Sequence, residues 1–158
     1  MFNLLNKLFN KEENKKEALK EKRKENFKKM IKENKKKGKD YEIFIGKKFE
    51  KKGYIVKFNG IEKGKRDNSI DLIAIKDKNI VFIQCKNWKE NSKYKISHEK
   101  IKAFIGDTYS FIEKNPTYKN YKIERFFCVA NDVFDKSGKK YLEENKNIIK
   151  YNIIPFKK

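Results

Sequence analysis

Residues 71–88, DLIAIKDKNIVFIQCKNW, hold two apolar, β-branched runs on either side of a short polar turn. Runs of this length and composition predict buried strands, and the turn between them predicts an antiparallel hairpin. No other stretch constrains the fold as tightly, because a one-residue slip would send every side chain to the opposite face. Three residues disturb the apolar pattern: Asp71 at its start, and Gln84 and Lys86 near its end. A buried polar or charged group is costly unless it has a partner or a purpose.

The flanking sequence supplies the rest of a mixed sheet. Asp40 as N-cap and Gly53 beyond the C-terminus bracket a helix carrying Tyr41, Phe44, Ile45 and Phe49 at helical spacing. YIVKF (54–58) predicts a short strand, GIEKGKRDN (60–68) a basic loop, and residues 69–76 and 79–87 the hairpin strands. Ser97 can cap a helix from about His98 to Lys114 that buries Ile101, Phe104, Ile105, Tyr109 and Ile112, and Pro116 stops it. Residues 122–130 predict a third long strand. Asp135 can cap a helix through about Asn145, and residues 148–156 a last strand. Helix, three strands, helix, strand, helix, strand is an α/β order, a mixed central sheet flanked by helices.

Charge divides the chain. Forty-two Lys and Arg against 22 Asp and Glu give a net +20, which points to an anionic partner, with nucleic acid ahead of an anionic membrane surface. Residues 1–37 read as a lysine-rich arm, helical or partly disordered, and 38–158 as the globular domain. Leu19, Phe27, Met30 and Ile31 fall on one narrow helical stripe of the arm. Ahead of them, Phe2, Leu5, Leu8 and Phe9 make a short apolar patch within residues 1–10, suited to docking on protein or, alternatively, a membrane surface. No run reaches the length of a bilayer span, and the N-terminus is a poor signal peptide, so a cytoplasmic protein is expected. Cys85 and Cys128 sit in apolar runs as small hydrophobes, without zinc-ligand spacing. No phosphate-binding glycine loop occurs, so no nucleotide cofactor is expected.

The hairpin turn, whether two residues or four, sets one register, with Asp71 directly opposite Gln84. Opposed residues share a face, and Lys86, two residues on, points the same way. An acid, an amide oxygen and an ammonium would then converge at one end of the hairpin. The carboxylate, the amide and the sideways-pointing carbonyl of Cys85 are hard oxygen donors, suited to Mg²⁺ (or Mn²⁺). A cation there with a lysine beside it suits phosphodiester hydrolysis. The competing reading is an Asp71–Lys86 ion pair at polar strand ends, with Gln84 an edge residue.

The pattern D71-x12-Q84-x-K86 resembles the core of the PD-(D/E)xK nuclease superfamily, and more narrowly its Mrr-like branch of restriction endonucleases, which uses QxK. The resemblance extends through GKDYEIFIGKKFEKKGYIV (38–56), YKISHEKIKAFIGD (94–107) and FFCVANDVFDKSGKKYLEENKNIIKYN (126–152). It implies a restriction-endonuclease-like fold. It also implies Asp71 as the central metal ligand, Gln84 in place of the second acid, Lys86 as the catalytic lysine and Glu42 as a further acid from the first helix. Asn68-Ser69 stands where Mrr-like proteins tend to carry Gly-Gly. Gln84 in place of an acid leaves one negative charge fewer for the metal.

Outside this set, Lys63, Lys65 and Arg66 lead towards Asp71 and are candidate phosphate contacts, or else a solvated basic loop. Trp88 is a candidate base-stacking residue, though covering the core edge is the simpler role. His98 opens a helix, and exposure is the simpler reading there too. The expected function is a Mg²⁺-dependent DNA endonuclease, with RNA left open as a substrate. Its basic arm would add salt-sensitive affinity, and a homodimer would suit cutting of both strands. The alternative is a non-catalytic nucleic-acid-binding protein on the same fold.

Overall fold

The computed structural model describes residues 2–60 and 69–157, with side chains from Lys11 onward. By contacts, residues 1–37 and residues 38–158 form two compact units.

The first helix, α1, spans Phe2–Lys51. Asp40 therefore lies inside a helix and does not cap one. The sequence from Lys11 to Lys39 contains no proline and much Lys and Glu, and its one glycine, Gly38, is tolerated inside the helix. Its pattern has four ridges at four-residue spacing. One carries Lys16, Lys20, Lys24, Lys28, Lys32 and Lys36; the next carries Glu13, Glu17, Glu21 and Glu25. Leu19, Phe27, Met30 and Ile31 are exposed. The other end of α1 stops as expected. Gly53 takes a positive φ of 88°, Tyr54 N–H donates to Phe49 O (3.2 Å), and Gly53 N–H donates to Glu50 O (2.9 Å). This is a Schellman ending, sealed by edge-on packing of the Phe49 and Tyr54 rings, 5.6 Å between centroids.

Five strands follow in spatial order β1 to β5: β1 (Ile55–Lys57), β2 (Leu72–Lys76), β3 (Asn79–Lys86), β4 (Lys122–Val129) and β5 (Lys150–Ile153). β1, β2 and β3 pair antiparallel. β3, β4 and β5 pair parallel, through crossovers that contain α2 (His98–Lys114) and α3 (Lys136–Glu144). The hairpin turn is Asp77-Lys78, closed by the Lys76–Asn79 pair; Asp77 adopts φ 52°, a conformation Asp tolerates.

One apolar cluster joins Ile73, Ile80, Phe82, Phe127 and Val129 of the sheet to Ile101, Phe104, Ile105 and Ile112 of α2 and Leu142 of α3. The other joins Leu72, Ala74, Val81, Ile83, Cys85 and Cys128 to Tyr41 and Ile45 of α1. Both cysteines are buried and unbridged, as their apolar surroundings suggest. Two helix details differ from the pattern in the sequence. Thr108, not Tyr109, takes the buried position on α2, and Tyr109 is 56% exposed over the Arg125 guanidinium. Ser97 stands at the N-cap of α2 without a side-chain cap bond, whereas Asp135 caps α3 by accepting from Gly138 N–H at 2.8 Å.

Gly46 decides how closely α1 approaches the segment that leads to the site. A Cβ there would lie 2.5 and 2.6 Å from two carbons of the Phe58 ring. Alanine is intrinsically better than glycine in a helix by about 1 kcal/mol, but overpacking costs about 1–3 kcal/mol. We expect Gly46→Ala to lower the melting temperature by a few degrees in thermal denaturation, against helix propensity; a rise would show that Phe58 yields freely.

Candidate active site

The ladder between β2 and β3 is regular from the turn up to the Leu72–Ile83 pair. The two-residue turn makes Lys76–Asn79, Ala74–Val81 and Leu72–Ile83 the hydrogen-bonded pairs, so a regular continuation would leave Asp71–Gln84 a non-bonded pair with the Asp71 N–H turned away from β3. Instead it donates to Ile83 O at 3.0 Å, one residue out of step. Burial shows the same slip. Ile70 belongs to the cluster under α2 and α3, whereas Leu72 belongs to the cluster under α1. An unbroken strand would put both on one face. Asp71 is thus the extra residue of a bulge, and the direct Asp71–Gln84 opposition expected from the turn gives way to it. Bulges of this kind re-aim a side chain and end pairing.

The bulge turns the Asp71 carboxylate into the place of the missing strand, where Oδ2 accepts the Cys85 N–H at 2.7 Å. Neighbouring residues of a strand send their peptide groups to opposite edges. Lys86 O accepts from Ala130 N–H, on the β4 side. The Cys85 peptide, donating to Asp71, therefore has its carbonyl on the β2 side, beside that carboxylate. Gln84, 7% exposed, and Lys86 share the side of β3 that carries Ile80 and Phe82, at the strand end left open by Asp71.

Glu42 comes from α1. It lies deep within the helix, so the usual preference of Glu for a first turn does not account for it. Its Oε2 is buried and has no hydrogen-bond partner among the described residues. A Cβ on Gly60 would stand 3.2 Å from both Glu42 Oε2 and Asp71 Oδ1, so the two oxygens can be no further apart than twice that distance. Burial first, then the Asp71 charge, pushes Glu42 up to about 7, against the opposing pull of Lys86 and Lys39. Burial likewise raises Asp71, opposed by Lys86 and by the Cys85 N–H. Burial, and after it the Asp71 charge, pushes the Cys85 thiol well up, so this cysteine is no nucleophile. Lys86 is thus close enough to bias both carboxylates.

A pair of half-buried acids with one buried, orphaned oxygen is what a bound cation would relieve. Among the described residues, no three His, Cys, Asp or Glu side chains are gathered as a ligand set. A cation here can be held by Asp71 and Glu42 and must complete its shell from amide and carbonyl oxygens and water, a set that fits Mg²⁺ or Mn²⁺ and not zinc.

Supporting residues escaped the sequence pattern. Asn59 Nδ2 donates to Ile70 O (3.0 Å), and Gly60 N–H to Asp71 O (3.0 Å). Asp107 of α2 accepts from the backbone and hydroxyl of Ser69 at 2.9 and 2.6 Å. These bonds hold the chain at the bulge and just before it; the Asn-Gly dipeptide was the available turn signal. His98 is half-buried, with a buried Nδ1 that has no partner among the described residues, and so is not the exposed residue expected. Trp88 is half-buried at the core edge. Lys63, Lys65 and Arg66 lie outside the described residues, as do the side chains of Phe2, Leu5, Leu8 and Phe9. No helix among the described residues is long and apolar enough to cross a membrane.

Comparison with known proteins adds three findings. A family model described as a restriction endonuclease matches residues 34–153. No curated protein matches. The crystal structure of a repair endonuclease from Pyrococcus abyssi aligns with 76% of this chain at 12% identity and a TM-score of 0.44. This chain covers 46% of that protein's length.

The raised acids make a pH prediction for the metal-free protein. Folded Glu42 keeps its proton up to about 7, whereas an ordinary glutamate loses it near 4.5. Its stabilising contribution is complete below the lower value and lost as pH rises through the upper one. In chelator, the melting temperature should therefore fall between about pH 5 and about pH 8, and Glu42→Gln should flatten that slope. A slope unchanged by Glu42→Gln would deny the coupling.

Proposed function

The chain belongs to the restriction endonuclease family, and from that premise we propose that it is a metal-dependent nuclease that hydrolyses phosphodiester bonds in DNA. The observation that carries this reading is the half-buried Glu42–Asp71 pair, with one buried oxygen unsatisfied among the described residues and a lysine near enough to bias both acids. A fold does not keep such a pair for stability, since burying like charges together is unfavourable.

Asp71, Glu42, the Gln84 amide oxygen and the Cys85 carbonyl would hold Mg²⁺ or Mn²⁺. When bound, the ion would polarise a phosphoryl oxygen and lower the pKa of a bound water. Lys86, at the rim of this site, would orient the attacking water and balance negative charge that grows on the phosphoryl group. The Cys85 N–H holds Asp71 in place, so the carboxylate need not reorganise. With an amide at position 84, the site carries less negative charge than an all-acid set, which predicts weaker cation binding. The net charge of +20 favours a polyanionic substrate, and the lysine ridge of α1 would add affinity that falls with salt. Double-strand cutting would use two copies of the chain; nicking would use one.

Supercoiled plasmid incubated with Mg²⁺ or Mn²⁺ tests the proposal. Nicking should appear with the ion, disappear with chelator, and drop by at least about a hundredfold in Asp71→Ala and in Lys86→Ala. No metal-dependent cleavage of DNA or RNA would refute the nuclease reading. Cleavage that survives both substitutions would move the site elsewhere.

A further inference from the structure

Lys86 has a second neighbour. Its Nζ lies 5.8 Å from the centroid of the Trp88 ring, the single tryptophan of the chain. Lys100, from α2, places its Nζ 4.9 Å from the same ring. The Tyr94 ring stands beside it, 6.4 Å between centroids and tilted by 56°. Tyr94 is 63% exposed, and Lys93 Nζ lies 5.3 Å from its centroid. Two tilted aromatic rings and three lysines thus meet at the exit of the strand that carries the proposed catalytic lysine.

Covering the core explains only part of this. Trp88 packs one side against the α2–α3 cluster, and its carbonyl accepts from Asn131 Nδ2 at 2.6 Å. That role does not require an exposed tyrosine next to it. Nor do the lysines serve as ion-pair partners: among the described residues, Lys86, Lys93 and Lys100 form no salt bridge. The intervening loop is held by its own bonds, with Ser92 N–H to Lys89 O, Tyr94 N–H to Ser92 Oγ, and Lys95 Nζ to Glu90 O. Lys100 Nζ donates in turn to Lys95 O. The rings and the charges around them are therefore set before any ligand arrives.

Aromatic rings interleaved with lysines bind a nucleic-acid strand by stacking on its bases while the ammonium groups meet its phosphates. The base must be unpaired, because in a duplex both faces of each base are covered by its neighbours. From Trp88, Tyr94, Lys86, Lys93 and Lys100 we infer a stacking platform for an unpaired nucleobase beside the phosphate to be cut, so that the substrate class is single-stranded or locally unpaired DNA. This rests on the nuclease reading for the position of the cut, but not for the binding itself.

Trp88 reports on its own environment. The full chain in chelator is titrated with a labelled oligodeoxythymidylate, with an abasic strand of equal length, and with a duplex. Tryptophan emission and label anisotropy are followed together. Trp88 should be quenched strongly by the oligodeoxythymidylate and little by the abasic strand or the duplex, although both bind through charge. Tyr94→Ala should weaken oligodeoxythymidylate binding by about tenfold while sparing the abasic strand, and Tyr94→Phe should restore it. Absence of oligodeoxythymidylate binding would overturn the inference. So would binding without quenching, equal quenching by duplex, or an unaltered Tyr94→Ala protein. No cleavage is measured, so quenching in a protein that fails to nick would leave the platform standing and reject the nuclease alone. Nicking without quenching would do the reverse.

Discussion

The Asp71 carboxylate takes the place of a strand. Where β2 should continue beside β3, its Oδ2 accepts the Cys85 N–H that a backbone carbonyl would otherwise accept. That substitution satisfies a buried donor, ends the antiparallel ladder, and leaves an opening at the edge of β3 lined by the Cys85 peptide. The surrounding contacts preserve the opening: Asn59 and Gly60 on one side, Asp107 through Ser69 on the other, and Gly60 without a side chain where Glu42 meets Asp71. Burying an ion costs several kcal/mol even after relaxation. The two apolar clusters supply enough stability to tolerate this, since each fully buried Ile or Phe contributes about 1.5–3 kcal/mol.

Opposite fields lie close together here. The chain as a whole is strongly basic, yet its half-buried carboxylate pair is the feature that would attract a cation. Lys86 joins the two, lowering the proton affinity of Glu42 and Asp71 on one side and meeting Trp88 on the other. A polyanion drawn by the lysines would meet the acids only through a cation, which is the arrangement a phosphodiester hydrolase needs.

The hairpin was the most legible part of the chain. β-branched runs and a short turn fix its register, and the Leu72–Ile83 to Lys76–Asn79 pairs follow it. The element order and the Schellman ending at Gly53 were legible for equally local reasons. The bulge was not, because alternation carries no sign of an extra residue until burial shows Ile70 and Leu72 on opposite faces. Asp40 resembled an N-cap because the spacing of apolar residues begins near it. The polar stretch before it has no proline, and its one glycine, Gly38, does not end the helix, so Asp40 lies within α1. Thr108 and Tyr109 exchanged roles because both lie at helical spacing from Ile105 and Ile112, and only packing distinguishes them. Glu42 was picked out by resemblance; Asn59-Gly60 showed only a turn signal and not its bonds to Ile70 and Asp71, and the place of Tyr94 beside Trp88 is displayed by no linear pattern.

Direct binding of Mn²⁺ to the chain, by calorimetry near neutral pH in two buffers of different ionisation enthalpy, tests the carboxylate pair itself. If Glu42 and Asp71 form a cation site, one ion should bind with release of protons, since Glu42 must ionise to accept it. Asp71→Asn should abolish binding, and Glu42→Gln should weaken it and remove most of the proton release. Absence of binding, or binding that survives Asp71→Asn unchanged, would contradict a metal site at this bulge.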